Sequence, residues 1–179
     1  NAIDHVKVIR FHTRVPVADP SRVTSELVDT LQSDKGVYVV VHCNHANELT
    51  DKVRAATRFL LNAGIPLLSQ STLLKGVNDD TKKLEDLFRA LTAMRIKPYY
   101  LHHPDLAPGT GHFRLPLEQG QQLVAPLWGH MSGIAQPTYV IDVPGGAGKV
   151  SAHTSVVECT QSGNYVLTDY KGRKHNYKD

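Results

Sequence analysis

The sequence contains no long apolar run and no secretion signal. None of its apolar stretches reaches the about 18 residues that a membrane-spanning helix needs. Its first five residues are mostly polar, whereas a signal peptide carries an apolar segment behind a positively charged start. We therefore expect a globular protein without a membrane span.

Cysteine is scarce, because only Cys43 and Cys159 occur among the 179 residues. They form no CxxC pair, which excludes the spacing of a zinc knuckle. Two unpaired thiols suit a reducing compartment, so we expect a cytoplasmic protein. The net charge of +3 is spread along the chain, and it predicts no nucleic-acid partner.

The chain starts with Asn1 instead of methionine, and a strand-like pattern begins by residue 6. Proteins rarely open on a strand with no element ahead of it. We expect a further segment to precede this chain in the whole protein.

Strand patterns recur along the first four fifths of the chain. Apolar, β-branched and aromatic runs predict five strands, at residues 6–11, 37–41, 65–68, 98–101 and 138–141. Strands that alternate with helices through short connections indicate a parallel sheet with right-handed crossovers. The fold class is therefore α/β, as part of a (β/α) barrel or as an open doubly wound sheet.

Four helices are predicted between these strands from polar caps and helical spacing. Their starts are expected at Thr24, at Thr50, at Asp79 or Asp80, and near Pro116. The first is expected to stop at Gly36 and the second at Asn62, before Gly64. The fourth is expected to reach Met131, with an interruption or a kink near Pro126.

The C-terminal segment changes character. Apolar runs at 156–159 and 165–167 flank a Ser-Gly-Asn turn and predict a hairpin. We therefore divide the chain into an α/β region, residues 1–150, and a small antiparallel appendage, residues 151–179.

Polar side chains follow every predicted strand. Because the carboxyl ends of parallel strands share one edge, we expect a site at that rim. The rim residues are His12, Thr13, Arg14, His42, Asn44, His45, Ser69, Gln70, Ser71, His102, His103, Asp105 and Asp142.

A glycine-rich segment follows the fifth strand and ends at Lys149. Gly145, Gly146 and Gly148 permit close backbone approach and unusual φ angles. The segment is not a P-loop, since valine occupies positions 143 and 150. The lysine suits Schiff-base formation with an aldehyde cofactor, or it lies on an exposed loop without a role.

Asp105 and Asp142 follow the fourth and fifth strands. Two carboxylates facing one pocket suit a cationic group such as an ammonium. An acid–base pair, metal ligands, helix caps and loop ion pairs are open alternatives. The histidines predict no metal site, because His42 and His45, like His102 and Asp105, are three residues apart instead of four.

Seven segments resemble the lysine 2,3-aminomutase family over nearly the full chain, and several of them occur in the family's order and spacing. They are Ile-Arg-Phe-His-Thr-Arg at 9–14, His-Cys-Asn-His-Ala-Asn-Glu at 42–48, Gln-Ser-Thr-Leu-Leu-Lys-Gly-Val-Asn-Asp at 70–79, Lys-Pro-Tyr-Tyr at 97–100, His-Phe-Arg at 112–114, Gly-His-Met-Ser-Gly at 129–133 and Asp-Val-Pro-Gly-Gly-Ala-Gly-Lys at 142–149. The chain would be the C-terminal portion of such a protein, with the fold of a partial (β/α) barrel.

The resemblance implies roles for five residues. Lys149 matches the catalytic lysine that binds pyridoxal phosphate. Asp105 and Asp142 match the pair that binds the side-chain ammonium of substrate lysine. Gln70 and His42 match positions that line the S-adenosylmethionine pocket. The implied activity is that of an isomerase, which converts L-lysine to β-lysine through a 5′-deoxyadenosyl radical.

The resemblance also shows what this sequence does not contain. The family binds a 4Fe-4S cluster through a CxxxCxxC motif, which is absent here, so we expect its ligands upstream and this chain alone to be inactive. Asp80 stands at the position of a zinc-binding cysteine, so no metal ligand is assigned within this chain. The resemblance leaves a homo-oligomer open.

Three other functions stay open on the sequence. A relative could act on a lysine of a translation factor or on another amino acid, although the two aspartates favour free lysine. The chain could be a non-catalytic cofactor-binding fragment. It could also be a barrel enzyme that uses pyridoxal phosphate without radicals, which would need Lys149 but not Gln70.

Overall fold

The computed structural model describes residues 3–169 and 171–178, and the strands in these residues form two sheets. The larger sheet has the order β1-β2-β3-β4-β5-β6. Its strands are Val8–Thr13, Gly36–His42, Leu67–Thr72, Ile96–His102, Thr138–Asp142 and Lys149–Ser151. The first five are parallel, and β6 returns antiparallel to β5. This sheet curls into a half-barrel, which confirms the predicted fold class.

The α-helices of the described residues lie between the strands. They are Val15–Ala18 (α1), Ser25–Thr30 (α2), Asp51–Asn62 (α3), Thr81–Ala93 (α4) and Leu117–Val124 (α5). Thr50 caps α3 by accepting a hydrogen bond from the backbone of Val53 at 3.4 Å. Of the two aspartates predicted to start α4, Asp80 is the cap, and it accepts from Lys83 N at 3.0 Å. Both side chains satisfy an amide that the first helical turn leaves unpaired.

The core lies between the sheet and helices α3 and α4. Helix α4 buries the four residues that its spacing predicts on one face, Leu84, Leu87, Phe88 and Leu91, and each is 0% exposed. They share one buried cluster with Val39 and Val41 of β2. Val40, on the opposite face of β2, is fully buried as well. The three valines at 39–41 are therefore buried on both faces of a central parallel strand.

The other face of the sheet is a hollow. Alternate residues of the first strands line a cavity of about 380 Å³, namely Val8, Arg10, Tyr38, Leu68 and Tyr99. Side chains alternate along a strand, so His12, His42 and Gln70 lie on this same face two or more residues further along. His12, His42 and Gln70 therefore point into the concave side of the half-barrel.

Two predicted strands are misplaced. The first strand lies two residues later than predicted, and the third is Leu67–Thr72 instead of 65–68. Ser69, Gln70 and Ser71 therefore lie within β3 and do not follow it. Parallel pairing with β4 lengthens β3, since Thr72 is in register with His102.

Two predicted helices are too long. The helix after Thr24 ends at Thr30, well before Gly36, and its apolar residue Leu27 is exposed. The fourth helix ends at Val124 and does not reach Met131. Ala125–Leu127 form one 3-10 turn, which is the predicted interruption near Pro126. A proline inside a helix removes a backbone donor, so a break at Pro126 is favoured over a kink.

The smaller sheet consists of β7, Val157–Gln161, β8, Asn164–Thr168, and β9, Lys174–Lys178, all antiparallel. It confirms the predicted hairpin, whose turn holds Gly163 at φ 76°. The division at residue 150 stays a prediction. None of the helices in the described part of the chain has the length and apolar composition that crossing a bilayer requires.

Candidate active site at the carboxyl rim

Three side chains meet where β4, β5 and β6 adjoin. Asp142, the last residue of β5, accepts hydrogen bonds on both carboxylate oxygens. His102 Nδ1, from the end of β4, donates to Asp142 Oδ2 at 2.7 Å. Lys149 Nζ, from the start of β6, forms an ion pair with Asp142 Oδ1. The sequence prediction placed all three at this rim but did not predict that they touch.

The glycine-rich segment makes the contact between Lys149 and Asp142 possible. Gly145, Gly146 and Gly148 adopt φ angles of 80°, 78° and 99°, which L side chains rarely adopt. The turn brings Gly148 O to within 2.9 Å of Val143 N, which donates to it. The chain then reverses into β6, a strand that the sequence analysis missed, and Lys149 pairs in register with Asp142.

Asp142 is held as a carboxylate. Partial burial opposes its ionisation, but the hydrogen bonds from Lys149 and His102 outweigh that effect and lower the pKa of Asp142 below its usual value. A carboxylate with two cationic or hydrogen-donating neighbours presents a fixed negative charge at neutral pH. The rim therefore offers a site for a positively charged group.

A second cluster lies on β1, β2 and β3. His12 Nδ1 donates to Gln70 Oε1 at 3.1 Å, and the rings of His12 and His42 meet edge to face with centroids 6.0 Å apart. His42 and Gln70 are in register on adjacent strands. Burial, followed by the nearby His12 and Arg14, lowers the pKa of His42. The imidazole of His42 is therefore neutral at pH 7 and can accept a hydrogen bond.

Two imidazole nitrogens on the rim have no partner. His42 Nε2 and His102 Nε2 are both buried and form no hydrogen bond within residues 3–169 and 171–178. A buried polar atom without a partner costs about 1–3 kcal/mol, so such atoms commonly face a ligand. The two nitrogens are an independent sign that the concave rim binds a polar molecule.

Asparagines and Glu48 fix the loops around this rim. Asn78, which is 0% exposed, donates to the carbonyls of Asn44 and Thr72 at 2.8 and 2.9 Å and accepts from Leu74 N at 2.7 Å. Asn44 Oδ1 accepts in turn from Thr72 N at 2.9 Å. Every polar group of the Asn78 side chain is therefore paired, and the loops after β2 and β3 are tied together.

Glu48 holds the loop after β2 from its other side. Its Oε1 accepts from the backbones of Asn44 and His45 at 2.7 and 2.8 Å, while Oε2 pairs with Arg14. Cys43 beneath it is fully buried, which raises the pKa of its thiol to about 12 and keeps it protonated. Sequence reasoning gave no role to Asn78 or Cys43, although both lie inside the motifs that carry the family resemblance.

Asp105 stands apart from the other candidate residues. It is exposed and makes no hydrogen bond or ion pair with any residue that the structure describes. It lies in the loop after β4, three residues beyond His102. Its predicted partnership with Asp142 therefore stays a prediction.

The residues present fit the two organic cofactors that the resemblance implies. Lys149 is a half-exposed amine at the mouth of the rim, where an aldehyde can reach it. Gln70, His12 and the unpartnered Nε2 of His42 supply polar groups on the concave face. Within the described residues, no three His, Cys, Asp or Glu side chains are grouped to hold a metal ion.

Fold and rim together define a (β/α)-barrel protein with a lysine and an aspartate at its carboxyl edge. Comparison of the sequence with known proteins supports this class. A family model described as Lysine-2,3-aminomutase matches residues 124–179. L-lysine 2,3-aminomutase of Acetoanaerobium sticklandii is 41% identical over 170 residues, which is 95% of this chain and 41% of that protein.

Two further relatives match nearly the whole chain. L-lysine 2,3-aminomutase of Clostridium subterminale and glutamate 2,3-aminomutase of Clostridioides difficile are each 38% identical over 177 residues, 99% of this chain and 42% of each relative. The chain is similar to the lysine 2,3-aminomutases over nearly its whole length, and it matches the C-terminal portion of those proteins. It spans about two fifths of the length of these relatives.

Proposed function

We propose that the protein is an isomerase that converts L-lysine to β-lysine, with pyridoxal phosphate, S-adenosylmethionine and a 4Fe-4S cluster. The observation that carries this proposal is the contact between Lys149 and Asp142 at the carboxyl rim, in a chain whose relatives are named L-lysine 2,3-aminomutase. The cluster ligands would come from outside this chain. We place the protein in the cytoplasm, and we propose that it binds a small amino acid.

Lys149 is the proposed attachment point for pyridoxal phosphate. When bound, this cofactor supplies an electron-delocalising ring to the amino group that migrates. The three glycines before Lys149 leave open space around the backbone, since a Cβ added at any of them would meet nothing within 4 Å. Lys149 itself holds the amine at the rim, and β6 keeps it in register with Asp142.

Asp142 and Asp105 are the proposed site for the distal ammonium of substrate lysine. Transfer of an ammonium from water into a pocket is costly unless carboxylates compensate it. Asp142 already pairs with the ammonium of Lys149, which supports this assignment. The same carboxylate repels the distal carboxylate of glutamate, so the rim favours lysine over glutamate.

Gln70 and His42 are the proposed contacts to S-adenosylmethionine. Both lie in register on neighbouring strands at the concave face, and His42 carries a buried nitrogen without a partner in the described residues. His12 orients the Gln70 amide through its hydrogen bond to Oε1. These side chains would bind and orient the cofactor on the concave side of the sheet.

Product formation tests the function. The intact protein is incubated without oxygen with both organic cofactors, iron, sulfide, a reductant, and either L-lysine or L-glutamate. We expect β-lysine from L-lysine and no β-glutamate, because Asp142 selects a distal cation. Formation of β-glutamate, or of no β-amino acid from either substrate, would contradict the proposal.

A further inference from the structure

The two oxygens of Asp142 are held by groups of different character. Oδ2 bonds to His102, whose side chain is only 9% exposed. His102 lies on β4, which pairs with a strand on each side. Oδ1 bonds to Lys149, whose side chain is 40% exposed and follows the glycine turn. A buried ring on a paired strand is fixed, whereas a long exposed side chain has many accessible rotamers. One oxygen thus has a permanent partner and the other an exchangeable one.

His102 has no other hydrogen-bonding task in the described structure. Its Nε2 is buried and unpartnered, so the bond to Asp142 is the one polar contact of the ring among the described residues. Tyr100 packs against the ring edge to face at 5.6 Å between centroids. The packing sets the plane of the imidazole, and the imidazole in turn sets the plane of the Asp142 carboxylate.

The ammonium of Lys149 is the same chemical group as the distal ammonium of a lysine molecule. Both are primary ammonium ions at the end of a four-carbon chain, and both suit one carboxylate oxygen. An external lysine and Lys149 therefore compete for Asp142 Oδ1. When Lys149 captures an aldehyde, its ammonium gives up one proton to solvent, its nitrogen forms a C=N bond to the carbonyl carbon, and the carbonyl oxygen leaves as water. The nitrogen is then no longer an ammonium, so this internal competitor is removed.

We propose that His102 is a positioning residue that fixes Asp142 Oδ2, so that Oδ1 is an exchangeable ammonium site which Lys149 occupies until its amine is taken. Attachment of an aldehyde cofactor at Lys149 then opens the substrate subsite, which couples cofactor loading to substrate recognition. The identity of the external ammonium rests on the proposed function, but the exchange itself rests on the contacts of Asp142.

Calorimetric titration of the intact protein without added pyridoxal phosphate tests the exchange. The ligands are L-lysine and L-norleucine, which lacks the distal ammonium. K149M, whose side chain has a similar length and no charge, is expected to bind L-lysine about tenfold more tightly than the unaltered protein, with norleucine binding unchanged. Adding D142N to K149M should abolish the gain.

Two further variants in the K149M background isolate His102. H102N keeps an N–H donor close to the position of Nδ1 and is expected to retain the preference for lysine over norleucine. H102F keeps the ring and its packing but removes the donor, and it should lose most of that preference. If His102 acted only through the packing of its ring, H102F would keep more of the preference for lysine over norleucine than H102N.

Equal affinity of K149M and the unaltered protein for L-lysine, or no measurable binding by either, would overturn the exchange. An equal gain for norleucine would do the same, because the distal ammonium would then be irrelevant. If H102F kept its full preference for lysine over norleucine, His102 would have no role in positioning Asp142. Failure to form β-lysine would overturn the proposed function and still leave these titrations interpretable.

Discussion

Lys149→Arg should lower the turnover of L-lysine by at least about a thousandfold, as removal of a covalent catalytic group does in other enzymes. The arginine guanidinium stays protonated and is not a nucleophile, so it cannot attach an aldehyde. It can still pair with Asp142 Oδ1, so the rim should keep its structure. The measurement is β-lysine formation by the reconstituted intact protein.

Lys52→Arg is the matched control for this substitution. Lys52 is an exposed lysine on α3, which packs on the helical side of the sheet, and it should tolerate the change without loss of turnover. Circular dichroism of both variants should match that of the unaltered protein. Substantial β-lysine formation by K149R would remove Lys149 from the mechanism.

Gly120→Ala should destabilise the protein by about 2–3 kcal/mol, through overpacking beneath α5. A Cβ at this position would clash with Tyr139 Oη, and it would lie 3.2 Å from Tyr139 Cζ and 3.1 Å from Leu73 Cδ2. Tyr139 is 0% exposed and bonds to His103 Nδ1 at 2.8 Å, so it has no room to retreat. Helix propensity alone would make the alanine variant more stable by about 1 kcal/mol. A loss of stability would therefore show that the clash with Tyr139 outweighs propensity.

Gly133→Ala provides the comparison in thermal or urea unfolding. An added Cβ there would meet nothing within 4 Å, and its backbone conformation is one that alanine accepts. We expect a change in unfolding free energy within about 0.5 kcal/mol, as for most exposed positions. A Gly120→Ala variant as stable as Gly133→Ala would show that α5 does not pack on Tyr139 as described.

The periodic elements of the fold could be predicted from the sequence. Helix α4 shows why, because a cap at Asp79 or Asp80 predicts where it starts and the apolar spacing behind that cap predicts its buried face. The short helix α2 shows the limit. Its apolar spacing extends to Leu31, but the helix ends at Thr30, and tertiary packing buries Val28 and not Leu27. Local spacing does not reveal which residues the rest of the chain covers.

The location of the rim could be predicted from the sequence, but the contacts between its side chains could not. Strand ends gave the positions of His42, His102 and Asp142, because parallel strands deliver their carboxyl ends to one edge. The antiparallel return through β6 was missed, since three residues after a glycine turn carry too little pattern to predict a strand. The bond from His102 to Asp142 depends on side-chain direction across two strands, which spacing does not encode.

Asn78 shows a similar limit. Its residue type suits a turn, and nothing in its neighbours predicts that it would be fully buried. Its position is set by three backbone groups from two loops that lie far apart in the sequence. Buried polar residues of this kind become visible only when the loops are brought together.

The most direct test of the central claim is to locate the lysine that captures pyridoxal phosphate. The intact protein is incubated with the cofactor, reduced with borohydride and digested, and the pyridoxyl label is located by mass spectrometry. We predict a label on Lys149, carried by the peptide that includes Gly145, Gly146 and Gly148. A label on a different lysine, or none, would contradict the assignment of this rim as the cofactor site.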